Sequence, residues 1–426
     1  MGDILIHLVK CFWFKISSLI IILLASAWPA AMSLVDTEKG RNWGITEQHI
    51  AQVISSSVHQ KVLPDSISIP GLFGPSGLPA PLKVKYTLDP DLQLEAIRLL
   101  KKYNPDYGVF VAISPDTGHI LAMADSTRNS HDGANHGNLS LVNTFPAASI
   151  SKIITAVAAL NEHKANGSTV IPFNGKSTSL YKKNVFNHKK TKWTRNFTLD
   201  QAFANSVNTI FGRLGAIELG GETMLEYAYR LGFNGRFASD ILFENGRIEI
   251  DQNDPWQVAE MASGYTTNNT LSPLHAAILA TTALNGGKVV APVIVASLIG
   301  PYGIPLYVHE QPALSVVMSD SSSKQLKKMM QTTITQGSAR TSFRGFHKGA
   351  MANVNVGGKT GSLTGFKPRG KYDWFVGFGE NGNQKIAFAT LCINKEKWYV
   401  KSTRFAREIL EFYFAPQNKS DSEKSA

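Results

Sequence analysis

Residues 145–160 read FPAASISKIITAVAAL, placing Ser149 and Lys152 three positions apart at the head of an apolar run. Side chains three apart share a helical face, so an amine at 152 reaches a hydroxyl at 149. Pro146 suits the first turn of a helix, and Ile153, Ile154, Val157, Ala158 and Leu160 give that helix a stripe to bury. A serine hydroxyl is a weak nucleophile at neutral pH, and a desolvated lysine of lowered pKa is a base that activates it. The spacing alone is a weak signal, because it recurs at Ser179 with Lys182 and at Ser321 with Lys324. Those copies lie in a basic aperiodic stretch and in a serine run. Only the first heads a long apolar helix.

Upstream, 107–125 reads as two β-rich runs joined by the turn residues Ser114-Pro115-Asp116-Thr117-Gly118, a hairpin. Asp89-Pro90 caps a helix whose face is Leu92, Leu94, Ile97, Leu99 and Leu100. Downstream, Thr198 with Gln201 forms a capping box opening one helix through LDQAFANSVNTIFGRLGAIEL, stopped by Gly220-Gly221. Ser272-Pro273 opens another, and a further one spans about 324–335. Strands are expected at 352–360, 373–378 and 385–393, then a helix over 403–414. Strands at both ends with helices between them imply an α+β domain, its sheet joining the first hairpin to the last three strands.

The N-terminal segment 1–35 carries Lys10 and Lys15 ahead of an uncharged run, 16–35, about the length that crosses a bilayer. Ala25-Ser26-Ala27 also has the form of an export cleavage site, and a retained anchor is the favoured reading of the two. Residues 36–85 read as a stalk, with a short helix over 46–59 and then the Pro/Gly-rich SIPGLFGPSGLPAPLK. The domain proper is expected over 86–415, and the polar end, 416–426, as a disordered tail.

The 426 residues are 43% hydrophobic and 18% charged, a globular balance, with a net charge of +11 that suits anionic surroundings. Much of that charge lies in a run from Lys182 to Arg195, expected as a solvated loop. Two cysteines, Cys11 and Cys392, are too few for a disulfide framework or a cysteine zinc site. No metal-protease, Walker or dinucleotide motif is present, so no metal or cofactor is expected and no nucleic-acid partner.

Two further motifs fall where a Ser149 nucleophile needs partners: Ser206-Val207-Asn208 within the helix opened by Thr198, and Lys359-Thr360-Gly361-Ser362 before the last strands. Each is common alone, and the three in this order are jointly specific for the serine acyl-transfer superfamily. The chain resembles the transpeptidase domain of penicillin-binding proteins, closest to that of the bifunctional cell-wall synthases. TLDPDLQ at 87–93, ISPDTGHILAM at 113–123, LSPLHAA at 271–277, NGG at 285–287 and DWFVGFG at 373–379 carry the likeness over about 86–414. Ala147-Ala148 stand where that family often has proline or glycine.

The resemblance implies an antiparallel five-stranded sheet flanked by helices, with an all-helical subregion. It implies that Ser149 forms an acyl-enzyme from a D-alanyl-D-alanine stem peptide, with Lys152 as base, Ser206 and Asn208 as a bridge to substrate, and Lys359 holding the network electrostatically. Thr360 and Ser362 would bind the substrate carboxylate, Gly361 would let it approach, and β-lactams would inhibit. It further implies a membrane-tethered domain acting in the periplasm on strands made by a separate glycosyltransferase. Carboxypeptidase, β-lactamase, β-lactam sensor and non-catalytic scaffold remain alternatives. Glu244-Asn245 is placed for a deacylating base, but its setting ILFENGR lacks the β-lactamase form. His275 and His347 read as surface or structural residues, Trp374 and Phe375 as sheet core.

Overall fold

Apolar runs from the two ends of the chain meet in one antiparallel sheet. A computed structural model describes residues 43–72, 80–128, 137–187, 189–310 and 314–416. The sheet holds β1 (Tyr107–Ile113), β2 (Ile120–Thr127), β3 (Asn355–Phe366), β4 (Arg369–Asn381) and β5 (Gln384–Asn394) in the order β3-β4-β5-β1-β2. The first hairpin therefore joins the last three strands, as the sequence implies, and β3 with its Lys359-Thr360-Gly361 lies on a free edge. Successive residues of a strand face opposite sides, so Trp374 enters one core and Phe375 the other, both fully buried.

The helices are α1 (Glu47–His59), α2 (Pro90–Tyr103), α3 (Lys152–Asn161), α4 (Lys182–Phe186), α5 (Leu199–Ala204), α6 (Asn208–Arg213), α7 (Gly220–Arg230), α8 (Pro255–Ser263), α9 (Pro273–Thr281), α10 (Asp320–Thr335) and α11 (Ser402–Tyr413). α2 and α11 cover one sheet face, where Leu99, Phe110, Phe388, Phe405 and Ile409 interlock. On the other face α9 is buried along its whole length, as its lack of a polar stripe demands, and beyond it lie the helices of the subregion. Asp89 caps α2 by accepting from the amides of Asp91 and Leu92, and Ser272 caps α9. His275 is structural: its Nδ1 accepts from the Gly246 amide at 2.7 Å, and its Nε2 lies 2.8 Å from the Leu231 carbonyl. Burial pushes its pKa down to about 4.

Four expectations are corrected. The stretch read as a stalk is folded onto the domain: α1 forms as the expected short helix, capped by Thr46, but it buries Ile50, Ile54 and Val58 completely. Strands Ser66–Ile67 and Leu82–Tyr86 join Val295–Ile299 and Pro305–Val308 in a second sheet. Proline and glycine at 70–81 disguised this, since the two strands they separate are short. Pro146 does not start a helix but pairs with Thr270 in a two-residue strand. The run opened by Thr198 is not continuous, because α5 ends at Ala204, Ser206 turns left-handed, and α6 restarts at Asn208. The basic run is not a simple loop, since it contains α4 and strand Arg195–Thr198, which pairs with Val170–Phe173. Cys392 is free and buried in β5. Cys11, the expected membrane segment and residues 417–426 lie outside the described residues, among which no helix is long and apolar enough to cross a membrane.

Candidate active site

The apolar run 153–160 forces α3 into the interior, and that burial fixes what happens at its head. Ala148–Ser151 form a tight 3-10 turn that leads into α3 at Lys152. Ala148 adopts φ +48°, a left-handed conformation that costs an alanine about 1–2 kcal/mol. The turn is held from outside, by the Ala147 amide donating to the Asn269 carbonyl at 2.7 Å and by Gly264 at the end of α8. Gly264 has φ +66°, and a Cβ there would lie 1.8 Å from the Ala148 oxygen, so only glycine allows this contact.

Lys152 is fully buried with its Nζ 3.0 Å from Ser149 Oγ and 2.7 Å from Asn208 Oδ1, and it also donates to the Ser263 carbonyl. Burial, and then the charge of Lys359, hold its amine well below the ordinary lysine range. A neutral amine has two N–H bonds and one lone pair. In that neutral form Asn208 Oδ1 and the Ser263 carbonyl are placed to accept both hydrogens, which leaves the lone pair for Ser149. The Asn208 amide is oriented by its own donation to the Thr178 carbonyl at 2.9 Å, which presents the oxygen to Lys152.

Lys359 enters from β3, also fully buried, with its Nζ 2.9 Å from Ser206 Oγ and 2.8 Å from the Thr360 carbonyl. Burial pushes its pKa down to about 7. The left-handed turn at Ser206, φ +55°, aims that hydroxyl at Lys359. Lys152 lies over the Phe211 ring and Lys359 over Phe203, rings whose centroids are 6.1 Å apart. Among the described residues neither lysine has a carboxylate partner.

Above the lysines is a cleft of about 490 Å³ lined by Ser149, Ser206, Asn208, Thr360, Gly361 and Ser362. All eight residues singled out in the sequence therefore converge, six lining the cleft and the two lysines beneath it. A Cβ at Gly361 would stand 3.2 Å from Ile150 and 3.3 Å from Trp374, so a side chain there would oblige these neighbours to give by a few tenths of an ångström. The repeated spacings elsewhere do not take part. Ser179 donates to the Lys176 carbonyl, and Lys324 pairs with Asp320 on α10. Glu244 also lies elsewhere, accepting from the Asn143 amide at 2.7 Å beside a separate cavity.

Sequence reasoning missed several contributors. The Ser263 and Thr178 carbonyls act through the backbone, which leaves no residue signature. Ser338 shares a hydrogen bond of 2.6 Å with Thr360, and Lys371, Trp398 and Lys401 line the far end of the cleft. Asp373 lies beside them, accepting from the amide and hydroxyl of Ser402 at the start of α11. Burial pushes its pKa up to about 6.

The model of the penicillin binding protein transpeptidase domain matches residues 108–411. The chain is 28% identical over 312 residues to stage V sporulation protein D of Bacillus subtilis, covering 68% of this chain and 45% of that one. It is 24% identical over 357 residues to peptidoglycan D,D-transpeptidase PbpA of Mycobacterium tuberculosis, covering 73% and 67%. The D,D-transpeptidase domain of a peptidoglycan glycosyltransferase from Eggerthella lenta shares the fold, with TM-score 0.65, 20% identity, and coverage of 86% and 90%. The chain thus spans from under half to about two thirds of the curated relatives it matches.

Proposed function

The chain belongs to the penicillin-binding protein transpeptidase family, and from that premise we propose that it is a peptidoglycan D,D-transpeptidase that works through a Ser149 acyl-enzyme. The observation that carries the reading is the buried Lys152 amine 3.0 Å from Ser149 Oγ, with Asn208 Oδ1 and the Ser263 carbonyl placed to accept the two hydrogens of its neutral form. Lys152 takes the Ser149 proton as Oγ attacks the carbonyl of the penultimate D-alanine. The C–N bond to the terminal D-alanine then breaks, with Ser206, beside Lys359, relaying a proton to the departing amine. The backbone amides of Ser149 and Ser362 receive the oxyanion, each such donor contributing about 3–4 kcal/mol. Thr360 and Ser362 receive the terminal carboxylate, and Lys359, in its charged form, supplies the balancing positive charge. An amine of a second stem peptide then resolves the ester. The apolar run 16–35 tethers the domain to the membrane, with the cleft facing the cell wall.

A fluorescent penicillin is expected to label the wild type and not Ser149→Ala; equal labelling of both ends the acyl-enzyme reading. Supplying polymerised lipid II then separates the fates of the ester. Cross-linked dimers support transpeptidation, whereas release of D-alanine without dimers assigns the protein as a carboxypeptidase. The distance of Glu244 from the cleft disfavours a β-lactamase that uses it as the hydrolytic base.

A further inference from the structure

Residues 163–199 contain seven lysines and one arginine and no aspartate or glutamate, in a chain whose net charge is +11. Most of the protein's excess charge is therefore gathered in one insertion between the Ser149 helix and the Ser206 turn. The insertion is built: strands Val170–Phe173 and Arg195–Thr198 pair, Asn174 bridges the Lys189 carbonyl and the Thr194 hydroxyl, and Arg195 donates to the Gly175 carbonyl. Lys182, Lys183, Lys189, Lys190 and Lys192 are all exposed, and none is ion-paired among the described residues. Asp254, which caps α8, and Glu260 on it feel Lys182 without forming a salt bridge with it, and Asp200, which follows the lobe and packs on Gly167, pairs with Lys328. Cations of this lobe stand over nearby rings, Lys192 over Trp193, Lys182 over Trp256 of α8 and Arg195 over Phe173, while Trp193 and Tyr181 stay exposed. The exposed, unpaired lysines give the lobe a concentrated positive charge that suits a hydrated anionic polymer.

The lobe also leads into the cleft. The Ser177 carbonyl receives the Asn208 amide at 2.8 Å, Thr178 lines the cleft beside Ser149, and Lys176 stands two residues before it. We propose that this basic lobe is a docking surface for the peptide carboxylates of a peptidoglycan strand, holding the polymer while one of its stems enters the cleft. The inference rests on the transpeptidase reading for the identity of the polymer. A lobe with a built backbone loses little freedom on binding, and unpaired lysines gathered in it concentrate an anionic chain there.

The test is co-sedimentation of the full chain, in detergent, with purified sacculi. The triple variant K189E/K190E/K192E is expected to bind native sacculi on the order of tenfold more weakly than wild type. Wild type should lose the same advantage at about 1 M salt, where the screening length is about 3 Å, and on sacculi whose carboxylates have been amidated. Fluorescent penicillin should label the variant and wild type equally, which also reports that the variant is folded. Ser149→Ala should bind sacculi as wild type does, so loss of the catalytic reading and loss of the docking reading give different results. Equal binding of variant and wild type to native sacculi overturns the proposal. So does a difference between them that appears on phosphatidylglycerol vesicles and not on sacculi, which would assign the lobe to the membrane surface.

Discussion

The helix side and the strand side of the cleft each bury one lysine against one serine hydroxyl, at 3.0 Å and 2.9 Å, yet they do it differently. Lys152 has three oxygens within hydrogen-bond reach of its nitrogen, including a main-chain carbonyl from α8, and sits on an element buried along its length. Lys359 has two, one of them the carbonyl of its own neighbour, and sits on an edge strand. Burial lowers both amines, but the charge of Lys359 lowers Lys152 further, whereas burial alone accounts for Lys359. Two charged ammonium groups cannot both persist in such a space without a carboxylate, so one is driven neutral. The lysine beside Ser149 carries the larger burden. In the mechanism we propose the pair thereby divides into a base and a cation, although the two side chains are chemically identical.

Removing the base tests that division most severely. Lys152→Met should lower the acylation rate by about 10³-fold, the usual contribution of a positioned base. Lys152→Arg should not restore it, because a guanidinium stays charged; equal rates in the wild type and either variant would erase the distinction between the two lysines. Lys359→Met keeps the bulk of the strand side and deletes its charge. With that repulsion gone the Lys152 pKa rises, and because the base works when neutral, the ascending limb of the acylation pH profile moves to higher pH. The upward move should come alongside a loss of rate; an unmoved limb would mean that the lysines do not sense each other. The smallest effect belongs to Ser338→Ala, which removes only the hydroxyl holding Thr360. It should slow acylation several-fold, about 0.5–1.5 kcal/mol, through weaker substrate binding and with no change in the pH limb.

The chemistry was legible because its residue types are rare in combination. A serine and lysine heading an apolar helix, a polar Ser-Val-Asn and a Lys-Thr-Gly near the last strands all meet at one cleft. The five-stranded sheet was legible from turn residues and apolar runs. Illegible features belong to tertiary structure. Ser206 interrupts what helical periodicity makes continuous, since nothing local marks a serine for φ +55°. The Ser263 carbonyl that helps keep Lys152 in place is any residue's carbonyl. Lys371, Trp398 and Lys401 reach the cleft only because β4, the segment after β5 and the start of α11 come together there.

The packing of α1 and of strands Ser66–Ile67 and Leu82–Tyr86 on the domain bears on how the protein can be produced. A recombinant domain cut at residue 86, where composition changes from Pro/Gly-rich to regular, would remove Ile50, Ile54, Val58, Leu82 and Val84 from a shared core. Each such side chain contributes about 1.5–3 kcal/mol, a sum comparable with the whole stability of an ordinary domain. The shortened product would expose the surface they cover and strip two strands from the second sheet, leaving Val295–Ile299 as a bare edge on that side. An expression boundary placed before Trp43 keeps that surface covered.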